Sequence, residues 1–195
     1  ESSTIAIENG MTTSLLFEQL KDVRESVQIP LIIMGYFNPM MQFGMEKFCQ
    51  KCAEVGIDGL IIPDLPLFVY ETEYKAIFEK YNLKNIFLIS PQTSVERIQQ
   101  IDAISDSFIY MVSSAAVTGS QSGFGSEQMD YFKRIADLNL KNPQIVGFGI
   151  KDEETFQQAT QYQKGAIIGS AFINFLKENP IEKTYSFTNY LIKKC

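Results

Sequence analysis

Ile145-Val-Gly-Phe-Gly149 and, one helix-length later, Ala166-Ile-Ile-Gly-Ser170 decide how this chain is read. Each is a short apolar run followed by glycine. Working back from them, four more such runs occur at Leu31–Met34, Gly59–Ile62, Ile86–Ile89 and Phe108–Val112, beside Ile145–Gly147 and Ala166–Ile168. Nearly continuous apolar runs suit parallel strands covered on both faces. Their starts lie roughly 20 to 40 residues apart, which leaves room for a helix in every interval and is too wide for hairpins. Six β-α units fit either an open doubly wound sheet or a barrel, and the glycines separate the two. A dinucleotide-binding sheet carries G-x-G-x-x-G after its first strand, and nothing of that kind follows Met34. Here the glycines follow the last strands, where a phosphate-binding (β/α)8 barrel keeps its anion site. At about 31 residues per unit, the 195 residues hold roughly six of eight units. The sequence therefore predicts an α/β fold, a (β/α)8 TIM barrel in one domain, 1–195, N-terminally incomplete by two units. Such a barrel leaves two strand edges open, a hazard for aggregation. Glu1 is not the residue a ribosome installs first, so something is expected to precede it.

Composition narrows the chemistry. A length of 195 residues, 45% hydrophobic and 21% charged, is ordinary for a globular protein with a sizeable core. The net charge of −6 argues against nucleic acid, whose affinity rests on clustered Lys and Arg. No run reaches the roughly 18 apolar residues of a membrane span, and residues 1–8 lack signal-peptide character, so no membrane partner and a cytoplasmic location are expected. Histidine is absent, which excludes Ser-His-Asp and Cys-His pairs and His-ligated metals and leaves proton transfer to carboxylates, Lys, Tyr or Cys. Cys49 and Cys52 are spaced C-x-x-C, but they fall in the apolar pattern Met45, Phe48, Cys49, Cys52, Ala53. Core packing is expected of them, not redox or metal chemistry.

Local signals mark the helices. The first is read from Thr12 or Thr13 through Leu15, Leu16, Leu20, Val23 and Val27. Thr93 and Glu96 form a capping box before Val95–Ile104, Asp152 caps Glu153–Tyr162, and Gly56 ends a helix near Val55. Gly169-Ser170 opens the apolar helix Ala171–Leu176, where exposed amides and the positive helix end can face an anion and Ser170 can cap the helix or bond a phosphate oxygen. Gly147-Phe148-Gly149 lets backbone approach a ligand, or is a turn needing positive φ. Thr118-Gly119 opens the small-residue loop Gly119-Ser-Gln-Ser-Gly123, either a lid or a plain connection.

Pro30-Leu-Ile-Ile-Met-Gly-Tyr-Phe-Asn38, Gly56-Ile-Asp-Gly-Leu-Ile-Ile-Pro-Asp-Leu-Pro66, Ala116-Val-Thr-Gly119, Gly147-Phe-Gly-Ile150 and Ile168-Gly-Ser-Ala171 follow one another in this order. In combination they resemble the successive strand-end motifs of the tryptophan synthase α-subunit family, over essentially all 195 residues. The resemblance implies a lyase of tryptophan biosynthesis that cleaves indole-3-glycerol phosphate to indole and glyceraldehyde 3-phosphate without a cofactor or metal. Backbone at Gly119, Gly149, Gly169 and Ser170 would hold the phosphate. Tyr110, Thr118 and Phe148 would line the pocket, with Met34, Tyr36 and Ile61 near the indole. Asn38, Asp64 and Pro66 would face a β subunit in an α2β2 heterotetramer. The family's catalytic glutamate and aspartate match positions upstream of Glu1, so no catalytic residue is expected in 1–195. Asp64 stands at a strand end, where barrels place catalysis, but it is read as partner-facing or as a cap of the segment that follows it. Ser114 departs from the family by standing where many members have a basic lid residue, so the family's loop closure is not carried over.

Two alternatives stand beside this reading. One is another phosphate-binding barrel enzyme, opposed by Pro63-Asp-Leu-Pro66 and by the lack of a suitably placed strand-end lysine. The other is a non-catalytic phosphate- or partner-binding fragment.

Overall fold

The computed structural model describes residues 2–113 and 123–187. Two compact units divide the chain between Phe87 and Leu88.

The first unit, 1–87, begins with helices α1 (Ser2–Glu8) and α2 (Thr13–Leu20). The Thr12 side chain caps α2 by accepting from the Leu15 amide. The helix read through Val27 stops at Leu20 and gives way to a 3-10 turn at Val23–Glu25. In that turn the Arg24 guanidinium donates to the carbonyls of Gly56, Val27 and Ile29 and to the Asp58 carboxylate, contacts that a continued helix would not provide. Strands β1 (Ile32–Met34), β2 (Gly59–Ile61) and β3 (Lys84–Ile86) form a parallel sheet in that order, with Met34 opposite Ile61 and Ile61 opposite Ile86. Between β1 and β2 lie α3 (Phe37–Phe43) and α4 (Met45–Val55). Helix α4 buries Met45, Phe48, Cys49, Cys52 and Val55, one apolar stripe. It ends as expected at Gly56, whose φ of 82° is left-handed. The Gly56 and Ile57 amides donate back to Ala53 and Cys52 in a Schellman arrangement. Both thiols are core, and burial pushes each up to about 12, so neither is a nucleophile at neutral pH. After β2 the chain runs through α5 (Leu67–Val69), a π-helical turn at Tyr70–Tyr74 and α6 (Lys75–Lys80).

The second unit, 88–195, holds strands β4 (Leu88–Ile89), β5 (Ile109–Val112), β6 (Gln144–Gly147) and β7 (Gly165–Ile167), again parallel and in sequence order. The single run read at Ile86–Ile89 is thus two strands, β3 and β4, each in its own sheet; Phe87 between them packs its ring on Tyr70. Helices α7 (Val95–Ile104), α8 (Ser126–Asp137), α9 (Glu153–Thr160) and α10 (Ser170–Glu178) follow the strands. Helix α7 has its expected bounds and a different cap. Ser94, not Thr93, accepts from the Arg97 amide, while the Thr93 hydroxyl accepts from the Ser90 amide. Glu96 still serves this helix end, its carboxyl held low by its own backbone amide and then by Ser94. Asp152 caps α9 as expected, in a capping box completed by Thr155, and the helix closes at Thr160, short of Tyr162. Ile98, Phe132, Ile135, Met111 and Val146 are fully buried and form the core of this unit.

No helix among the described residues is long and apolar enough to cross a membrane.

Candidate phosphate turn and strand-end residues

In the second unit the strand register brings the two glycine motifs side by side. Gly147 of β6 pairs with Ile167 of β7, so the turn Phe148–Gly149 lies next to Ile168–Gly169, the entry to α10. That entry corrects one expectation: Gly169 occupies the N-cap position, Ser170 is the first helical residue, and no side chain caps the helix. The initial amides of a helix lack intrahelical partners, and here they coincide with the positive end of its dipole. Helix α10 also runs longer than read, to Glu178. A Cβ built on Gly169 would meet nothing within 4 Å. The fold itself does not need glycine there.

Gly147 is the opposite case. A Cβ on it would lie 2.0 Å from the Tyr110 hydroxyl oxygen and 2.2 Å from the ring carbon that bears it. Tyr110 reaches this position from β5, where it pairs with Ile145 of β6. It is buried, and burial raises its phenol above the ordinary range, so it stays protonated. Its ring meets Phe148 edge to face at 6.1 Å between centroids. Phe148 is half exposed and has φ 67°. A bulky residue in the left-handed region costs about 1–2 kcal/mol and signals an over-determined, often functional, position. Ser113, just past β5, bonds two successive carbonyls of this turn. Its amide donates to Gly147 O at 3.1 Å and its hydroxyl to Phe148 O at 2.8 Å. Gly149 follows with φ 79°, and a Cβ there would press on the Phe124 ring at 3.0 Å. Phe124 is held by its amide's bond to Gln158 Oε1 of α9 at 2.8 Å. Sequence reasoning missed Ser113, Phe124 and Gln158. Serine after a strand and an aromatic between glycines carry no marker of this kind without the fold. Thr118, Gly119 and Ser114 lie outside the described residues.

In the first unit the strand ends offer side chains. Met34 and Tyr36 are exposed, whereas Ile61 is buried. The amide of Gly35 bonds Ile61 O at 3.1 Å, which keeps the β1 end beside the β2 end. Asp64 does not cap the segment after it. Its Oδ1 accepts from the Phe37 amide at 2.8 Å, at the first residue of α3, so it caps the helix that bears Asn38. Asn38, Asp64 and Pro66 are all exposed. Phe68, directly after Leu67, is 71% exposed.

Among the described residues no group of three or more His, Cys, Asp or Glu could hold a metal ion.

The family model for the tryptophan synthase alpha chain matches residues 1–194. The tryptophan synthase alpha chain of Flavobacterium johnsoniae is 70% identical over 186 residues, 95% of this chain and 74% of that one. That of Flavobacterium psychrophilum is 67% identical over 189 residues, 97% of this chain and 75% of the relative. Among solved structures, the tryptophan synthase A-subunit of the hyperthermophile Pyrococcus furiosus superposes with a TM-score of 0.83 at 27% identity, covering 97% of this chain and 77% of that one. The parallel strand-helix repeats are those of a partial TIM barrel, as read from the sequence. The alternative readings are not favoured. With a matching family model over nearly its whole length and relatives this similar, the chain belongs to the tryptophan synthase alpha chain family.

Proposed function

We propose that this chain serves the lyase reaction that cleaves indole-3-glycerol phosphate to indole and glyceraldehyde 3-phosphate, with its second unit holding the phosphate. One observation carries this reading. Two backbone features suited to an anion, the left-handed Phe148-Gly149 turn and the uncapped start of α10, end adjacent paired strands. The amides of Gly149, Gly169 and Ser170 face the phosphate oxygens; the resemblance assigns Gly119 to the phosphate as well and Thr118 to the pocket lining. Tyr110, kept neutral by burial, and Phe148 supply apolar wall and edge to the glycerol chain. The resemblance assigns Met34, Tyr36 and Ile61 to the indole, for which flat apolar surface is the matching chemistry.

Cleavage breaks the bond between the indole ring carbon and the glycerol chain. An acid must protonate that ring carbon, one base takes the ring nitrogen's proton, and another takes the hydroxyl proton as the aldehyde forms. Proton transfer suffices, and no cofactor is required. The resemblance carries neither of the family's two acid–base carboxylates onto a position in 1–195. Asp64 is engaged with the Phe37 amide, which suits a structural role better than proton transfer.

Asn38, Asp64 and Pro66 are proposed to face a β subunit in an α2β2 assembly in the cytoplasm. The exposed Phe68, two residues after Pro66, supports this, since aromatic side chains are enriched in interfaces. The test is release of indole from indole-3-glycerol phosphate, measured with and without a β subunit. Release that rises with the β subunit is expected. No release from the full-length polypeptide in either condition would overturn the assignment.

A further inference from the structure

Ser113 grips two successive carbonyls of the phosphate turn. It is 2% exposed, its amide bonds Gly147 O, and its hydroxyl bonds Phe148 O. The second bond has a directional consequence. In a trans peptide the C=O and the following N–H point opposite ways, so fixing the Phe148 carbonyl toward Ser113 turns the Gly149 N–H away from it. It also holds Phe148 at φ 67°, a conformation its own side chain disfavours. From this geometry we infer that Ser113 is a positioning residue, which holds the left-handed Phe148 and thereby aims the Gly149 amide at the substrate phosphate. The inference rests on the phosphate reading of this turn and adds to it the residue that sets the turn.

A purely structural serine would matter for folding and leave the ligand indifferent. A positioning serine makes a different prediction, because the need for it should vanish when residue 148 adopts the left-handed conformation by itself. Asparagine does so readily. The experiment measures the dissociation constant of inorganic phosphate by calorimetry and follows the Gly149 amide by ¹H–¹⁵N NMR. The proteins are wild type, Ser113→Ala, Ser113→Cys, Ser113→Thr, Phe148→Asn and the Ser113→Ala/Phe148→Asn double variant. Ser113→Ala is expected to weaken phosphate about five- to tenfold, the factor for losing one hydrogen bond, and to move the Gly149 amide resonance. Ser113→Cys, close in size and a poor donor, should act like alanine and stands in if the alanine protein folds badly. Ser113→Thr keeps the hydroxyl and should stay within about twofold. In the Phe148→Asn background, adding Ser113→Ala should cost less than about twofold. Equal phosphate affinity in wild type, Ser113→Ala and Ser113→Cys would overturn the inference and leave the phosphate reading standing, as would an equal loss from Ser113→Ala in both backgrounds. Absence of phosphate binding by wild type would overturn both.

Discussion

The ends of β5 to β7 and the ends of β1 and β2 are built from different parts of the polypeptide. In the second unit the candidate site is main chain: a left-handed turn, an uncapped helix start, and glycines without side chains. In the first unit it is side chains: exposed Met34 and Tyr36, buried Ile61, and Asp64 tying one loop to the next through the Phe37 amide. The contrast matches what each is proposed to bind. A phosphate is recognised by N–H groups that any residue carries, and demands fixed backbone; an indole needs area, which many apolar side chains can supply. Backbone-built sites should therefore fail abruptly on adding a methyl group, and side-chain-built sites should degrade gradually.

The sharpest way to break this contrast is Gly147→Ala. Its new Cβ would start 2.0 Å from the buried Tyr110 oxygen, and overpacking of this severity costs about 3 kcal/mol. Urea unfolding should show it; a change within experimental scatter would mean that β5 and β6 yield easily and that the turn is not rigidly built. Asp64→Ala comes next. It removes the acceptor for the Phe37 amide, a capping loss of about 1 kcal/mol, again read from urea midpoints. An unchanged midpoint would show that the two loops of the first unit are not fastened by this bond.

The third prediction concerns pH. The Thr155 hydroxyl, and then its amide, hold Asp152 below its ordinary value of 3.8, partly opposed by desolvation. A carboxyl lowered on folding contributes stability that is present above its unfolded pKa and lost as pH falls through the lower folded value. Asp152→Asn keeps a competent cap, so stability at pH 7 should change by less than about 0.5 kcal/mol. The part of the acid-induced loss that Asp152 contributes below its ordinary value should disappear; an acid limb identical to wild type would sink the claim. The smallest expected change in stability is for Gly169→Ala, less than about 0.5 kcal/mol in thermal unfolding, because its Cβ would enter open space at a negative φ. If the proposed site is right, the same substitution weakens phosphate. Stability and affinity would then separate at Gly169 and move together at Gly147.

Much of the fold was legible in the sequence because parallel strands announce themselves as apolar runs, and all six runs contain strand residues. The failures had tertiary causes. The run at 86–89 splits because its two halves pair with different neighbours. The helix expected to reach Val27 stops early where Arg24 gathers carbonyls from three places. Asp64 was read as partner-facing or as a cap for its own segment, and it caps α3 instead of that segment, since proximity across β1 and β2 outranks proximity along the chain. The glycines of the turn after β6 and of the α10 entry were legible as motifs, but their reasons were not. Sequence alone cannot show that Gly147 is empty to admit Tyr110 whereas Gly169 is empty with nothing beside it.

The phenol lodged against Gly147 also constrains how this protein can change over generations. Positions 110 and 147 lie on neighbouring strands and share one volume, so their substitutions have a permitted order. Tyr110 must first shrink before any side chain can appear at 147; the reverse order passes through an intermediate with two groups in one space. Descendants that lost the aromatic ring could later lose the glycine, and lineages that kept the ring would be expected to keep both.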